Sequence, residues 1–493
     1  QPLSLTPEEQ DLNDVTIANS QQLALSQQSA VGETLAERLL HHVKLNRKPI
    51  RTNFDHHDKH LLFGIMEHLV VLINSTQHEA AHQQLHELLL TIFTVFPTIY
   101  CQRLRGGSTD RRHYTTFLRK RRADPDFQHH VNMLLEGKFE PVQEEQAEDK
   151  RDTKHRVESL ARRGKTTQAI GALSPSRLAP VNPGTIAKLL ELYPSAREGS
   201  DYENIFPTID AGGSGDASYF ERRDMVSEFD KADLNLALRF MKSNAAPGLT
   251  GWTKEFFNLL FRESPRVADF LRQFMTKYVN LALPPLVLSF CNNSVLVPLY
   301  KEEDDEKIRP IAIPCFINKL AWKICLNQVR NKDQSLQSIQ LGLGTKAGCQ
   351  AATFILQTAL LEGKIILKAD CSNAFNCIWR DTFLRPLYAD AKYRPIWPLL
   401  RLSYQSASYL VLPDGTTILA TEGTRQGGGE SSFTFGKALE GISEKFDQDG
   451  VRYVQIVDDI FAIIEPTKFN IDNLLYTIQR LEVCLSTYGL KMN

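Results

Sequence analysis

The spacing of apolar residues along the first part of the chain is helical. Over residues 61–74 and 79–96 the apolar side chains recur at mixed intervals of three and four, which is the repeat of one helix face. This pattern predicts a mostly helical N-terminal region. It also places His78, His82 and His86 on one face of the second predicted helix. We interpret that face as a solvated or partner-facing stripe, because no carboxylate or cysteine completes a metal-ligand set.

Beyond the glycine-rich residues 199–215 the pattern changes to short apolar runs that alternate with helical segments. The runs predict strands at 292–299, 364–369, 408–412, 416–420, 453–457 and 460–464. Pro413-Asp414-Gly415 lies between two of these strands and signals a hairpin. Helical spacing returns over 432–446 and 473–488. The mixture favours an α+β fold class with a small antiparallel sheet.

Composition narrows the class of protein. A length of 493 residues is enough for roughly two to four domains, and an apolar fraction of 42% favours a packed core over disorder. No apolar run reaches the ~18 residues of a membrane span, and the first residues lack a signal-peptide pattern, so we expect no membrane contact. The eight cysteines form no C-x-x-C pair, which favours reduced, mostly buried thiols of an intracellular protein.

The charge distribution indicates local contact with nucleic acid. With 57 basic and 58 acidic residues, the formal net charge of −1 excludes a uniformly basic binding surface. Two basic clusters remain, and Tyr114 and Phe117 are interleaved with the first. Such clusters supply phosphate contacts and the aromatic rings supply base stacking, although a solvated helix face balanced by nearby acids is the alternative. The candidate nucleic-acid residues are Arg119, Lys120, Arg121, Arg122, Arg162 and Arg163.

Three aspartates lie at the ends of predicted strands. Asp370 ends the apolar strand at 364–369, and Asp458 and Asp459 lie between the strands at 453–457 and 460–464. Two adjacent acids are a poor choice for a tight turn, and their like charges repel unless a cation binds. Carboxylates facing one another across two strand ends could hold two hard cations for in-line phosphoryl transfer. The alternative is a solvated turn.

Six segments around these aspartates resemble the motifs of one enzyme family. In chain order they are Ala245-Ala246-Pro247-Gly248-Leu249-Thr250-Gly251-Trp252, Lys301 to Arg309-Pro310-Ile311, Leu341-Gly342-Leu343-Gly344, Asp370-Cys371-Ser372-Asn373-Ala374-Phe375, Gly423-Thr424-Arg425-Gln426-Gly427 and Ile456-Val457-Asp458-Asp459. Each motif alone is weak, but their shared order is specific. Over roughly residues 160–493 the chain resembles the reverse transcriptases of non-LTR-type retroelements.

The resemblance implies a role for each matched residue. The implied catalytic and metal-site residues are Asp370, Asp458 and Asp459, around two Mg²⁺ ions or Mn²⁺ in their place. The ions would activate the primer 3′-hydroxyl and neutralise the departing pyrophosphate. The implied nucleotide-binding residues are Lys301, Arg309, Cys371, Ala374, Phe375, Gln426 and Gly427. The cationic pair would contact the triphosphate, the backbone after Asp370 would cradle it, and Gly427 would allow a close backbone approach.

Phe375 is the most discriminating of these residues. It stands where a reverse transcriptase has a bulky ring that packs against the sugar C2′ and leaves no room for a 2′-hydroxyl. An RNA polymerase would place a polar residue there to hydrogen-bond that hydroxyl. The alternative is that Phe375 simply packs under the following helix.

The family architecture is a right-hand polymerase, with palm and fingers built from an antiparallel sheet and packed helices, preceded by a mostly helical N-terminal region. The expected division is a helical region with basic patches at 1–198, a linker at 199–218, fingers with their approach segment at 219–350, and a palm at 351–493. The family's thumb is expected to lie outside this sequence, which we interpret as a fragment. The implied partners are an RNA template, a DNA primer and dNTP, and the implied location is the nucleus.

Two positions depart from the family pattern. After Gln426-Gly427 the loop continues as Gly428-Gly429-Glu430, which we expect to add loop entropy and a charge near the triphosphate. Ile456 stands where an aromatic residue or alanine is common. Two alternative functions stay open. One is an RNA-dependent RNA polymerase, against which Phe375 argues, and the other is a non-catalytic nucleic-acid-binding scaffold, against which the intact aspartates argue.

Overall fold

A computed structural model describes most of the chain. The described residues are 33–47, 54–77, 80–101, 108–138, 162, 177–197, 200, 202, 205, 228–301, 304–330, 340–342, 345–445, 451–465 and 471–493. The predicted linker at 199–218 is described only at residues 200, 202 and 205, so most of it lies outside these ranges.

Helices make up the described N-terminal region, as the apolar spacing predicts. They are α1 (Leu35–Leu45), α2 (His56–Thr76), α3 (Gln83–Thr94), α4 (Phe96–Tyr100), α5 (Ser108–Ala123) and α6 (Phe127–Leu135). Polar side chains cap the starts of several of them: the Thr34 hydroxyl accepts a hydrogen bond from the Glu37 amide, and the Asp126 carboxylate accepts from the first turn of α6.

The single helix predicted over 79–96 is wrong in its bounds. The helix begins at Gln83 and ends at Thr94, and α4 follows it. Pro97 has no amide hydrogen, so the ladder of hydrogen bonds cannot run through it. His82 belongs to a 3₁₀ turn before the helix, His78 lies outside the described residues, and His86 contacts the Thr76 hydroxyl at 3.1 Å. The predicted stripe of three histidines on one helix face is therefore not present.

Trp252 joins the N-terminal helices to the elements that follow. Its buried indole packs against Phe93 and donates a hydrogen bond to the Thr94 carbonyl at 3.0 Å. The preceding Gly251 has φ +78°, and a Cβ there would lie 2.6 Å from Cγ2 of Thr98. The Gly251-Trp252 pair of the sequence motif thus lets the backbone approach α4 while the indole fills the core.

A second group of helices leads to the sheets. It comprises α7 (Pro183–Leu192), α8 (Lys231–Phe240), α9 (Lys254–Glu263), α10 (Pro265–Val279) and α11 (Pro285–Asn292). Several begin with proline in the first turn, where a missing amide hydrogen does not interrupt the ladder of hydrogen bonds.

The described strands form two main sheets and a short ribbon. The first sheet has the order β2 (Asp304–Pro314), β1 (Ser294–Lys301), β5 (Ser408–Val411) and β6 (Thr417–Ala420), with β1 and β5 parallel and the other neighbours antiparallel. The second has the antiparallel order β3 (Ile365–Ala369), β8 (Asp459–Ile464) and β7 (Val451–Ile456). The ribbon pairs β4 (Cys371–Ser372) with β9 (Lys491–Met492). Pro413-Asp414-Gly415 lies in the turn between β5 and β6, as predicted.

Helices pack around these sheets. They are α12 (Phe316–Arg330), α13 (Gly348–Leu361), α14 (Ala374–Cys377), α15 (Asp381–Ala389), α16 (Trp397–Tyr404), α17 (Ser431–Lys445) and α18 (Ile471–Ser486). The α+β class is confirmed. One buried apolar cluster runs from Ala36 in α1 to Leu490 before β9, so the N-terminal helices and the strand-containing part share a core.

The structure shows the state of the cysteines and the length and apolar character of the helices. All eight cysteines are free thiols, and most are buried, as predicted. Among the described helices, none has both the length and the apolar character needed to cross a lipid bilayer.

Candidate active site

Strand pairing brings Asp370 to the same end of a sheet as Asp458. In the antiparallel β3–β8 pair, Ala369 lies opposite Ile460, so Asp370 follows β3 at the end where the β7–β8 hairpin turns. The charge of Asp370 is close enough to raise the pKa of Asp458. The two strand-end carboxylates predicted to face one another are therefore brought together.

The turn between β7 and β8 differs from the predicted one by one residue. Ile456 pairs with Asp459, so the turn residues are Val457 and Asp458, and Asp459 is the first residue of β8. The β7–β8 pairing runs from Val451 opposite Ile464 to Ile456 opposite Asp459, which leaves a two-residue loop, the shortest hairpin connection. The prediction that two adjacent acids form the turn is wrong, although Asp458 still lies at its tip.

Burial is the largest cause that raises the pKa of Asp458, and the charges of Asp459 and Asp370 raise it further. Arg309 acts in the opposite direction, which places this predicted triphosphate ligand within electrostatic reach of the acids. Lys301 is exposed near the tip of the β1–β2 hairpin, where its backbone lies opposite that of Asp304 in the strand register. The structure thus brings Arg309, rather than Lys301, into the field of Asp458.

Asp459 has a partner that the sequence reasoning missed. Lys368 Nζ lies 2.9 Å from its Oδ1, and all three aspartates raise the pKa of Lys368, with the hydrogen bond to Asp459 as the largest cause. Asp459, predicted as a metal-site residue, thus forms an ion pair with Lys368 in this structure. A lysine inside an otherwise apolar strand, two residues before Asp370 and so on the same strand face, was the available signal.

The carboxylates of Asp370 and Asp458 fit a hard cation whose remaining ligands come from the substrate and water. Within the described part of the chain, no three His, Cys, Asp or Glu side chains are grouped as a ready metal cage. The exposed Asp370 and the half-buried Asp458 instead offer carboxylate oxygens from two strands. Mg²⁺ is commonly held by one or two carboxylates together with substrate phosphates and water. Asp370 Oδ2 also accepts a hydrogen bond from Asn493 Nδ2 at 2.9 Å, which orients that carboxylate.

The residues after Asp370 turn sharply into α14. Cys371 and Ala374 are buried, so their side chains are not offered to a nucleotide, and only their backbone can serve the predicted cradle. Burial, with Asp370 and Asp458 nearby, raises the pKa of Cys371 to about 12. Asn373 has φ +49° and donates from Nδ2 to the Leu192 carbonyl at 2.6 Å, which anchors the turn.

Phe375 is half-buried and stacks on Phe435 of α17. The ring centroids are 4.7 Å apart, and the planes differ by 20°. The sequence reasoning missed Phe435, because an apolar residue in a predicted helix gives no sign of which ring it touches. The stack holds the Phe375 ring in one orientation.

The loop after β6 is docked against β2. The Ala312 amide donates to the Gln426 carbonyl at 2.9 Å, and Gly427 has φ +109°. A Cβ on Gly427 would overlap the Ala312 carbonyl oxygen. In this structure the close approach that this glycine allows is to the protein's own β2 strand.

Gly427→Ala is expected to lower the free energy of unfolding by about 1–3 kcal/mol, because alanine is strained at this φ and must push the loop from β2. Urea unfolding measures the change. Gly429→Ala is the matched control, since its Cβ would have no heavy atom nearer than 3.7 Å. Equal stabilities of the two variants would contradict this explanation.

Glu430 does not face the triphosphate, contrary to the prediction. It is fully buried, and its Oε1 lies 3.0 Å from Nη2 of the buried Arg425 and 3.0 Å from the Tyr404 hydroxyl. Arg425 also donates to the Ser403 hydroxyl at 2.9 Å. The ion pair between Arg425 and Glu430 lies beneath the loop that carries Gln426. Gly428 and Gly429 belong to the same loop.

Four of the six predicted nucleic-acid residues lie on α5. Arg119, Lys120 and Arg122 are exposed. Arg121 is half-buried, with its guanidinium 5.5 Å from the centre of the Phe117 ring and Nη1 3.4 Å from Met133 Sδ, so it serves helix packing rather than an open patch. Arg162 is exposed, and Arg163 lies outside the described residues.

The chain is similar in sequence to known proteins. Residues 300–493 match the family described as reverse transcriptase (RNA-dependent DNA polymerase). The chain is 25% identical over 237 residues to the retrotransposable element SLACS 132 kDa protein of Trypanosoma brucei gambiense. That match covers 46% of this chain and 20% of the relative, so it spans about one fifth of the relative's length. Over residues 300–493 the chain is therefore similar to the reverse transcriptase (RNA-dependent DNA polymerase) family.

Proposed function

We propose that the protein performs RNA-directed DNA synthesis by two-metal nucleotidyl transfer, as part of a retroelement. The observation that carries the proposal is the placement of Asp370 and Asp458 at the same end of one sheet. Phe375, which stacks on Phe435, lies shortly after Asp370 in the chain. The similarity to a retrotransposable element protein supports the same role. In this assignment the sheet with β3, β7 and β8 is the palm and the β1–β2 hairpin belongs to the fingers.

Each site residue has a separate role in the proposed reaction. Two Mg²⁺ ions on Asp370 and Asp458 would supply charge neutralisation for the attacking 3′-oxygen and the departing pyrophosphate. Arg309 pairs with triphosphate oxygens, for which a planar guanidinium suits bidentate contact. Lys368 neutralises Asp459 and so limits the repulsion among the three acids. The basic surface of α5 contacts the phosphates of the template–primer duplex.

Primer extension on an RNA template tests the proposal. The protein is incubated with a DNA primer annealed to RNA, Mg²⁺ and either dNTP or rNTP. We expect extension with dNTP that depends on the divalent ion. Preferred incorporation of rNTP would favour an RNA polymerase, and salt-sensitive RNA binding without incorporation would favour a binding scaffold.

Phe375→Ala is expected to reduce discrimination between dNTP and rNTP about 10- to 100-fold, because the ring that excludes the 2′-hydroxyl is removed. Single-nucleotide incorporation gives kcat/KM for each nucleotide. Phe375→Tyr, which retains the ring, is the matched control. Discrimination that is the same in all three proteins would show that Phe375 only packs against Phe435.

A further inference from the structure

The turn that presents Asp458 contains a strained residue. Val457 has φ +59°. This left-handed conformation is unfavourable for a β-branched side chain, because Cβ is crowded by the backbone. Strain of this kind persists where surrounding structure imposes it. Something must therefore hold Val457 in place next to the catalytic acid.

Gln340 makes the contacts that can do this. Its side-chain Oε1 accepts from the Val457 amide at 2.7 Å, and its Nε2 donates to the Val457 carbonyl at 3.0 Å. The side-chain amide thus binds both backbone groups of the one strained residue. Gln340 is only 2% exposed, so water does not compete for these bonds.

The residues beside Gln340 fix its position. The Leu341 amide donates to the Gln455 carbonyl at 2.9 Å, and the Gly342 amide donates to Gln340 Oε1 at 3.1 Å. A Cβ on Gly342 would lie 2.9 Å from the Val457 nitrogen. Residues 340–342 therefore lie directly against the turn, and glycine at 342 is what permits this contact.

We propose that Gln340 is a positioning residue that holds Val457 in its left-handed conformation and thereby sets the Asp458 carboxylate opposite Asp370. Gln340 does not touch substrate, and it acts through the backbone of the turn. This inference rests on the proposed function only for its catalytic consequence. The hydrogen bonds themselves can be tested without any reaction.

Gln340→Leu removes both hydrogen bonds to Val457 and the one from the Gly342 amide, and it introduces an apolar side chain that can remain buried. We expect kcat for dNTP incorporation to fall about 10²-fold, because a misplaced catalytic group has an effect of this size. The KM for dNTP should change less than about twofold, since the triphosphate contacts of Arg309 are untouched. Gln357→Leu, at an exposed position of α13, is the matched control and should behave as the unmodified protein.

A second substitution separates positioning from general damage. Glycine adopts a positive φ without steric strain. Val457→Gly should therefore restore most of the lost kcat when combined with Gln340→Leu. If Gln340 only stabilised the fold, glycine in the turn would not rescue the Gln340→Leu protein.

Hydrogen exchange of the peptide spanning residues 453–460 provides the readout without catalysis. The Val457 amide should lose protection in Gln340→Leu and keep it in Gln357→Leu. Unchanged protection, a loss of activity confined to KM, or the absence of rescue would each overturn the inference. If the unmodified protein incorporates no dNTP, the proposed function fails, while the exchange experiment still decides whether Gln340 holds the turn.

Discussion

Asp458→Asn is expected to reduce Mg²⁺-dependent DNA synthesis at least about 10²- to 10³-fold, because a neutral amide binds less tightly the cation that offsets the negative charge of the transition state. The amide is nearly the same size, so the β7–β8 hairpin should persist. Single-turnover incorporation with saturating template–primer measures the chemical step. Asp472→Asn, at an exposed acid in the first turn of α18, is the matched control and should retain full activity.

The same substitution should stabilise the metal-free protein at neutral pH. Burial and the neighbouring charges of Asp459 and Asp370 raise the pKa of Asp458. The folded state therefore holds this proton to a higher pH than the unfolded chain does, and stability falls as the pH rises through the folded-state pKa. Asparagine cannot ionise, so Tm at pH 7 without Mg²⁺ should rise. A fall in both activity and Tm would indicate that Asp458 is structural.

Local signals account for the part of the site that could be predicted. The apolar run before Asp370 and the two runs that flank Asp458 each specify a strand by neighbouring residues alone. Their side-by-side pairing then follows from burying those strands in one sheet. The exact turn did not follow, because the apolar runs do not specify which residues of β7 and β8 lie opposite one another.

Long-range partners account for most of what the sequence did not show. Gln340 and Val457 are 117 residues apart, and nothing near either position marks the contact. Gly427 was correctly identified as a close-approach glycine, but its partner, Ala312, lies on a distant strand. Lys368 is the exception, since its place in an apolar strand beside Asp370 was visible. Candidate chemistry-bearing residues could thus be proposed from sequence, whereas the side chains that orient them could not.

Glu430→Ala is expected to lower the free energy of unfolding by about 3–5 kcal/mol, because it leaves the buried Arg425 guanidinium without its counter-charge. Arg425 and Glu430 have side-chain exposures of 2% and 0%, so water cannot solvate the charge that remains. Urea unfolding measures the loss. Glu136→Ala breaks the solvent-exposed pair with Lys138 and is the matched control, for which we expect little change.

A double substitution shows whether the pair acts as a unit. Arg425→Met combined with Glu430→Ala removes both charges, so it should be less destabilising than the sum of the two single changes. Additive losses would contradict a coupled ion pair. The loop that carries Gln426 lies between Arg425 and Glu430 and also docks on Ala312, so breaking the pair should raise the KM for dNTP more than it lowers kcat. A fall in kcat at unchanged KM would instead indicate that the Arg425–Glu430 pair affects the positions of Asp370 and Asp458.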